Sequence, residues 1–320
     1  MSEPLLRVDG LSRHFPMAGG AQLRAVEQVS FSLAAGEVVA LVGESGSGKS
    51  TLARTVLGLY DKTAGRVYYQ GERLPGHYRA ADFRRQAARM QMVFQDPGGT
   101  LNPRLTVGES LAEPLLLSGR RSEVAARVAD WLGRVGLDPS AAGRYPHEFS
   151  GGQRQRLGIA RALIAGPALV VCDEPVSALD VSVQAQIVNL LMRLRADEGV
   201  ALLLIAHDLA LVRHIADRVL VMYRGEIVEE APVARLFAAP QHPYTALLLA
   251  SCPSGDPARR LPQPAPVQGL EVGAEGCQFA PRCPRATARC QQRPALSEVG
   301  EQGRVACHHP LGEEAPRSAT

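Results

Sequence analysis

The chain has 320 residues, of which 46% are hydrophobic and 21% charged, so it can bury a large core and suggests about two domains. Its longest apolar stretch, residues 200–206, is far too short to cross a bilayer. The N-terminus carries Glu3 early and has no apolar segment typical of a signal peptide, so we expect the chain to be made and kept in the cytoplasm. A net charge of +3, spread along the chain, gives no reason to expect nucleic-acid binding.

The N-terminal region alternates apolar and polar residues. Over residues 5–35 this alternation predicts antiparallel strands, which we expect to form a small β-subdomain together with residues 65–70. Residues 36–95 and 165–225 are predicted to form an α/β core. The segment between them, about 96–160, has helical patterns at 105–117 and 124–135.

A glycine-rich turn follows the first predicted core strand, residues 37–42, and precedes a predicted helix over 50–57. The turn consists of Gly43, Glu44, Ser45, Gly46, Ser47, Gly48, Lys49 and Ser50. Glycine allows backbone N–H groups to point inward around phosphate oxygens, and the helix that begins with Ser50 and Thr51 adds its positive N-terminal end. The pattern therefore predicts a phosphate-binding loop.

Two side chains of this turn have predicted roles toward a nucleoside triphosphate. Lys49 would reach the β- and γ-phosphates, and the Ser50 hydroxyl would coordinate Mg²⁺. Only Lys49 and Lys62 are lysines among 35 basic residues, so a compact point charge stands here in a chain that otherwise uses arginine.

An acidic pair follows a second buried strand, residues 169–172. In open α/β sheets, ligands bind at the carboxyl ends of the strands. Asp173 would hold Mg²⁺ directly or through water, and Glu174 would accept a proton from the water that attacks the γ-phosphate. Taken alone, two carboxylates after an apolar strand are more often a solvated turn, but the phosphate loop outweighs that interpretation.

About 120 residues separate Lys49 from Asp173, which is unlike a simple small GTPase. With these motifs, the sequence resembles the ATP-binding subunit of an ABC transporter over about residues 5–250. The resemblance implies a P-loop NTPase fold of the ABC nucleotide-binding type, α/β in class, with a small antiparallel β-subdomain and a helical subdomain at about 96–160. It also makes Gln95 the glutamine of the Q-loop, which reaches Mg²⁺ and the attacking water and connects to the transmembrane partner.

The family's signature motif is matched by Ser150, Gly151, Gly152 and Gln153, although Phe149 stands where leucine is more usual. These residues precede a predicted helix over 153–164 and so offer a second glycine-rich helix N-terminus for phosphate. The resemblance implies that two subunits pair, so that each ATP lies between the phosphate loop of one and the signature of the other.

Three further residues receive roles from the resemblance. Asp180 resembles the D-loop residue that crosses the dimer interface, and His207 resembles the switch histidine that contacts the γ-phosphate. Phe15 stands where the family often stacks an aromatic ring on adenine, although it could equally be a core residue of the N-terminal strands. ATP and Mg²⁺ are the expected ligands.

A Pro-rich stretch at 253–266 predicts a linker, so we divide the chain into an ATP-binding domain at 5–250 and a C-terminal extension at 251–320. Residues 241–245 and 276–284 resemble the extension of oligopeptide and dipeptide importer ATPases. Residues 144–150 and 174–182 point the same way and resemble the F-type subunit of such permeases. That subunit normally pairs with a related D-type ATPase, which favours a heterodimer. The implied partners also include two transmembrane permease subunits and, indirectly, an extracytoplasmic peptide-binding protein, with the ATPase on the inner face of the cell membrane.

Four of the six cysteines cluster in the extension: Cys277, Cys283, Cys290 and Cys307. In a reducing cytoplasm they are not expected to form disulfides, which leaves unpaired thiols or a four-thiolate site for a [4Fe–4S] cluster or zinc. His308 and His309 are possible substitutes or neighbours. Cys172, within a predicted strand, is interpreted as a small apolar residue, and Cys252 carries no clear signal.

The function that we expect is ATP hydrolysis that energises import of di- and oligopeptides through an ABC permease. Nickel or another small cargo is the closest alternative, since nickel importers share much of this sequence but more often have a shorter tail. A DNA-maintenance ATPase with the same head would need a long coiled-coil insertion. A soluble non-transport ABC protein would usually carry two such cassettes in one chain.

Overall fold

The structure, a computed structural model, describes residues 3–177, 179–251, 273, 275–300 and 303–312, without the side chains of residues 97 and 98. The predicted linker at 253–266, Cys252 and residue 178 of the D-loop segment lie outside the described residues. In chain order the strands are β1 (Leu6–Pro16), β2 (Gln22–Leu33), β3 (Val38–Val42), β4 (Ala64–Tyr69), β5 (Glu72–Arg73), β6 (Met90–Val93), β7 (Leu169–Asp173), β8 (Ala201–Ile205), β9 (Arg218–Tyr223), β10 (Glu226–Pro232), β11 (Ser297–Glu298) and β12 (Arg304–Val305). The helices are α1 (Lys49–Val56), α2 (Ala80–Gln86), α3 (Pro97–Thr100), α4 (Val107–Leu117), α5 (Val124–Arg134), α6 (Gly151–Leu163), α7 (Val181–Glu198), α8 (Leu209–Ile215), α9 (Val233–Ala238) and α10 (Pro243–Ala250).

Two sheets organise the described part of the chain. The small sheet is antiparallel with the order β2-β1-β4-β5, which confirms the predicted β-subdomain. The central sheet has the order β11-β12-β10-β9-β3-β8-β7-β6, and its strands from β9 to β6 run parallel. Every residue of β3, β7 and β8 is buried, as expected for parallel strands covered on both faces.

Alternate residues of the central strands face two separate hydrophobic cores. Val38, Ala40 and Val42 of β3 belong to the core that includes the helical layer of α4 to α7, with the buried Trp131. Val39 and Leu41 belong to the core shared with α1 and the small sheet. The central sheet therefore holds the helical layer and the β-subdomain on opposite faces.

The C-terminal extension continues the central sheet. Strand β12 pairs antiparallel with β10, and β11 pairs with β12. The side chain of Glu230 on β10 contacts both Arg218 of β9 and Arg304 of β12, which joins three neighbouring strands through charge. No helix within the described residues combines the length and apolar character that crossing a membrane requires.

Candidate nucleotide-binding site

The phosphate loop connects the end of β3 to the start of α1. Gly48, which precedes α1, has φ of 104°, and a Cβ there would lie 2.1 Å from the carbonyl oxygen of Ala25. A Cβ on Gly43 would lie equally close, 2.1 Å, to the carbonyl oxygen of Met222. Both positions therefore require glycine, because the backbone is close to neighbouring strands and, at Gly48, left-handed.

Lys49 is buried at the first position of α1, with 6% of its surface exposed. Its Nζ donates to the carbonyl oxygens of Gly43 at 2.8 Å and Glu44 at 2.9 Å, so the cation is held inside the curve of the loop. Burial lowers the pKa of Lys49, while the negative charges of Glu174, Asp173 and Glu44 act in the opposite direction.

A cavity of about 700 Å³ opens beside this loop. Its lining includes Ser45, Lys49 and Thr51 of the loop and helix, Glu174 after β7, and Phe15 of β1. The Phe15 ring is half-buried and lies edge-on to Tyr60, with ring centroids 5.6 Å apart. Phe15 is thus on the cavity wall and is absent from both hydrophobic cores.

The Ser50 hydroxyl and the Asp173 carboxylate lie in contact at the edge of this cavity. Ser50 Oγ donates to Asp173 Oδ1 at 2.8 Å, and Arg54 Nη2 lies 3.6 Å from Asp173 Oδ2. Burial raises the pKa of Asp173, and the Ser50 hydrogen bond and the Arg54 charge offset part of that shift. A buried carboxylate beside a hydroxyl is an oxygen-rich pair of the type that Mg²⁺ prefers.

Glu174 lies next to both Gln95 and His207. Its Oε2 accepts a hydrogen bond from Gln95 Nε2 at 3.1 Å and is 3.6 Å from His207 Nδ1. Gln95, Glu174 and His207 follow β6, β7 and β8, whose carboxyl ends share one edge of the sheet. Glu174 has φ of 47°, an uncommon backbone conformation for a residue other than glycine.

The signature residues lie on a different part of the surface from the phosphate loop. Ser150, Gly151, Gly152, Gln153 and Asp180 line a second cavity of about 440 Å³. None of these five residues lines the phosphate-loop cavity, and no residue of the phosphate loop lines theirs. The structure thus brings the predicted nucleotide-binding residues together in two groups rather than one.

Comparisons with known proteins agree with this geometry. Residues 26–177 match the "ABC transporter" family model, and residues 228–290 match "Oligopeptide/dipeptide transporter, C-terminal region". A "Probable peptide ABC transporter ATP-binding protein" from Sinorhizobium fredii is 50% identical, with 96% of this chain and 90% of the relative covered. A "Putative peptide import ATP-binding protein" from Brucella ovis is 48% identical, with 92% of this chain and 95% of the relative covered.

The chain belongs to the ABC transporter ATP-binding proteins. Among solved structures, the ATP-binding cassette MJ0796, a dimer in a post-hydrolysis state with ADP and Pi, aligns with a TM-score of 0.65 and 28% identity. The alignment covers 71% of this chain and 98% of MJ0796. The cassette cbiO1 from Clostridium perfringens aligns with a TM-score of 0.64 and 25% identity, over 74% and 92% of the two chains. The protein is therefore an ATPase of this family, and ATP with Mg²⁺ is its expected nucleotide.

The extension of this ABC ATPase also reaches the nucleotide cavity, which the sequence analysis did not predict. Gln278 and Arg293 line the cavity, and Arg293 Nη2 lies 3.2 Å from Glu226 Oε1. Arg282 forms an ion pair with Glu44 of the phosphate loop. No spacing pattern marked these residues, because their proximity depends on how the extension folds back over the end of the central sheet.

The four tail cysteines surround one small cavity with His242, His308 and His309. Burial raises the pKa of Cys307 to about 12 and that of Cys283 to about 11, with smaller contributions from neighbouring thiols. Within the residues that the structure describes, no group of three or more Cys, His, Asp or Glu side chains is arranged to hold a metal ion. Cys172 is fully buried in β7, and burial raises its pKa to about 12, as expected for an inert structural thiol.

Proposed function

We propose that this chain is the ATP-hydrolysing subunit that energises import of di- and oligopeptides through an ABC permease. The observation that carries the proposal is the combination, in one chain, of an ABC nucleotide site and an extension matching the oligopeptide/dipeptide transporter C-terminal region. Two relatives near 50% identity have names that describe peptide transport or import. Division into a 5–250 ATP-binding domain and a 251–320 extension forms part of this proposal.

The proposed chemistry is attack of water on the γ-phosphate of ATP. Glu174 is the proposed base, since its carboxylate lies on the nucleotide cavity between Gln95 and His207. Gln95 and His207 are proposed to orient the attacking water and contact the γ-phosphate. Lys49 and the N-terminal amides of α1 bind the phosphates, with Phe15 on the base.

The Mg²⁺ site is proposed at Ser50 and Asp173, with Gln95 as a further ligand. The contact between the Ser50 hydroxyl and the buried Asp173 carboxylate supports it, because a cation would balance a charge that burial disfavours. When bound, Mg²⁺ would neutralise charge that develops on the phosphate oxygens.

Separation of the two cavities supports a dimer in which each ATP contacts two subunits. Ser150, Gly151, Gly152, Gln153 and Asp180 of one subunit would complete the phosphate-loop cavity of the other. MJ0796, with 28% identity, is dimeric. We propose a related D-type ATPase as the second subunit, two transmembrane permease subunits as the docking partners at the cytoplasmic face of the membrane, and an extracytoplasmic binding protein that delivers the peptide.

A metal or [4Fe–4S] cluster held by Cys277, Cys283, Cys290 and Cys307 is a further proposal. His242 supports it: Nδ1 accepts from the backbone N–H of Tyr244 at 3.0 Å, so Nε2 carries the proton, and this buried Nε2 has no hydrogen-bond partner. An orphaned donor on a cavity lined by four thiols fits a thiolate-bound group, which would accept its hydrogen bond. Binding would require the thiols to deprotonate and to come closer than they are in this structure.

Anaerobic purification with assays for iron, sulfide and zinc tests the tail site. We expect about one zinc or one four-iron cluster per chain, lost in Cys283→Ser/Cys290→Ser and retained in Cys172→Ser. Metal-free protein with titratable tail thiols would contradict the site and leave the ATPase proposal intact.

Uptake of a labelled tri- or pentapeptide, with nickel uptake alongside, tests the cargo. Cells that lack this subunit would receive wild type, Glu174→Gln or the control Glu113→Gln, whose glutamate pairs with Arg161 in the helical layer. We expect wild type and the control to restore peptide uptake and Glu174→Gln to fail. Restored nickel uptake with unchanged peptide uptake would move the protein to metal import.

A further inference from the structure

Glu44, the second residue of the phosphate loop, is held by residues that follow the nucleotide motifs in the chain. Its carboxylate accepts two hydrogen bonds from the Arg282 guanidinium, Nη1 to Oε2 at 2.9 Å and Nη2 to Oε1 at 2.8 Å. Its backbone N–H donates to the Tyr244 hydroxyl at 2.8 Å. Its carbonyl oxygen accepts from Lys49 Nζ, so every polar group of Glu44 has a partner.

The two hydrogen bonds from Arg282 constrain both the position and the orientation of the Glu44 carboxylate. A guanidinium that pairs with a carboxylate through two parallel bonds fixes the plane of that carboxylate, whereas a single bond leaves it free to rotate. Both side chains are 42% exposed, so water screens the charge attraction and geometry contributes a large share of the effect.

Arg282 also changes the charge that the triphosphate meets. Its hydrogen bond is the main cause that lowers the pKa of Glu44, and a glutamate with a lowered pKa, like an ordinary one, is ionised at neutral pH. An ionised carboxylate on a phosphate loop would repel ATP and attract the neighbouring Lys49. The paired guanidinium neutralises it and leaves the Lys49 charge for the phosphates.

The position of Arg282 is fixed by the packing of the residues that precede it. It lies at the end of a short 3-10 turn, Ala280–Arg282, directly before Cys283. Phe279 precedes this turn, is 1% exposed and packs against Tyr223 and Tyr244, with centroids 5.4 and 5.5 Å away. Tyr223 ends β9, so the turn is anchored to the central sheet beside the nucleotide cavity.

We infer that Arg282 is a positioning residue of the ATP site. It acts through Glu44, whose carboxylate it orients and neutralises. The C-terminal extension thereby contributes a residue that positions the phosphate loop. Gln278 and Arg293 of the same extension line the cavity at which this loop lies, which supports the same conclusion. The inference goes beyond ATP hydrolysis as such, because it assigns nucleotide affinity to a segment outside the ATP-binding motifs.

A double-mutant cycle on the full-length chain, purified alone for nucleotide binding and in the assembled dimer for hydrolysis, tests this inference. The variants are Arg282→Met, Glu44→Gln, the double variant, Arg282→Lys and the control Arg285→Met. Arg285 lies in the same segment but donates to the carbonyl of Pro310. The measurements are the equilibrium affinity for a fluorescent ATP analogue, the KM and kcat of ATP hydrolysis, and the thermal midpoint.

We expect Arg282→Met to weaken ATP binding by about 3- to 10-fold and to raise KM, with kcat little changed. Arg282→Lys should retain part of the affinity, because lysine keeps the positive charge but cannot make the two parallel hydrogen bonds of the guanidinium. In the Glu44→Gln background the Arg282→Met effect should largely vanish, since the charge that Arg282 neutralises is gone.

Three results would overturn the inference: unchanged affinity in Arg282→Met, an equal loss with and without the Glu44 charge, or an equal loss in Arg285→Met. In the first case, a lower thermal midpoint would identify the Arg282–Glu44 pair as a purely structural contact. Failure of wild type to bind ATP would instead contradict the ATPase assignment.

Discussion

The phosphate-loop cavity and the signature cavity are built from the same local feature and differ in what surrounds it. Each lies at a glycine-containing helix N-terminus: α1 follows Gly48, and α6 begins with Gly151 and Gly152. The first follows the central strand β3 and has Glu174, which follows β7 of the same sheet, on its wall, whereas the second belongs to the helical layer. The difference indicates that a helix N-terminus can bind phosphate, whereas hydrolysis also requires side chains at the ends of nearby strands.

The two helices also differ at their N-cap, the residue directly before the helix. Helix α1 begins after Gly48, which has no side chain to cap the helix, and its first residues, Lys49, Ser50 and Thr51, line the cavity. Helix α6 begins after Ser150, whose Oγ accepts from the Gln153 N–H at 3.3 Å, while Gln153 Oε1 accepts from the Ser150 N–H at 3.0 Å. This capping box stabilises α6 within the chain, so Ser150 combines a structural role with its proposed role toward ATP.

The largest expected effect comes from replacing Glu174, the carboxylate proposed as the base in the phosphate-loop cavity. Glu174→Gln should lower kcat by about 10²- to 10⁴-fold, because the amide cannot accept the proton of the attacking water. Nucleotide affinity should change little, since the Gln side chain can still bond to Gln95. Single-turnover and steady-state hydrolysis with the Glu113→Gln control would measure this, and turnover near wild type would remove Glu174 from the role of base.

The next effect separates the two roles of Ser150. Thr106 caps α4 with the same box, accepting from the Glu109 N–H at 3.2 Å, and lines neither cavity. Ser150→Ala and Thr106→Ala should each cost about 1 kcal/mol of stability. Only Ser150→Ala should also reduce ATP turnover in the assembled dimer, on the order of 100-fold.

Denaturant unfolding and ATPase assays on the same preparations would measure both quantities. Equal turnover in the two variants would show that Ser150 only caps its helix, and the shared-site proposal would then fail.

A smaller effect is expected at the base end of the phosphate-loop cavity. Phe15 lines that cavity, whereas the lining of the signature cavity includes no aromatic residue. Phe15→Ala should raise the KM for ATP by about 2- to 10-fold, and Phe15→Tyr should stay near wild type because stacking tolerates either ring. An unchanged KM in Phe15→Ala would assign the ring to packing against Tyr60 and Arg13.

The smallest effect is a pH dependence of ATP affinity. Burial raises the pKa of Glu226, on the cavity wall, to about 7, with Arg293 and Arg24 opposing the shift and Glu27 and Glu275 adding to it. As pH rises from about 6 to about 8, Glu226 loses its proton and adds a negative charge near the triphosphate.

Affinity for ATP at saturating Mg²⁺ should therefore fall about 2- to 3-fold more in wild type than in Glu226→Gln over this range. The difference between the two proteins cancels the titration of ATP itself. Parallel pH profiles would contradict the assignment of a near-neutral pKa to Glu226.

Sequence patterns were sufficient to predict the strand before the phosphate loop and the helix after it. The apolar run before Gly43 became a buried strand, and the helix predicted at 50–57 became α1, Lys49–Val56. The small antiparallel sheet was likewise predicted from alternation. These features depend on local spacing, which fixes both the burial of a strand and the start of a helix. The pairing of β12 with β10 and of β11 with β12 was not predicted, because two-residue strands carry no periodic pattern.

The sequence by itself determined the chemistry of this protein: a phosphate loop, an acidic pair after a buried strand and a glycine-rich N-terminus of the signature helix, each recognisable from residues adjacent in the chain. Only the tertiary structure decided that Gln95, Glu174 and His207 lie together, that the signature opens into a separate cavity, and that Arg282 contacts Glu44. Residues 238 positions apart, such as Glu44 and Arg282, meet because the parallel strands end at one edge and the extension packs against it. Such contacts follow from the packing of the whole chain, and no local pattern encodes them.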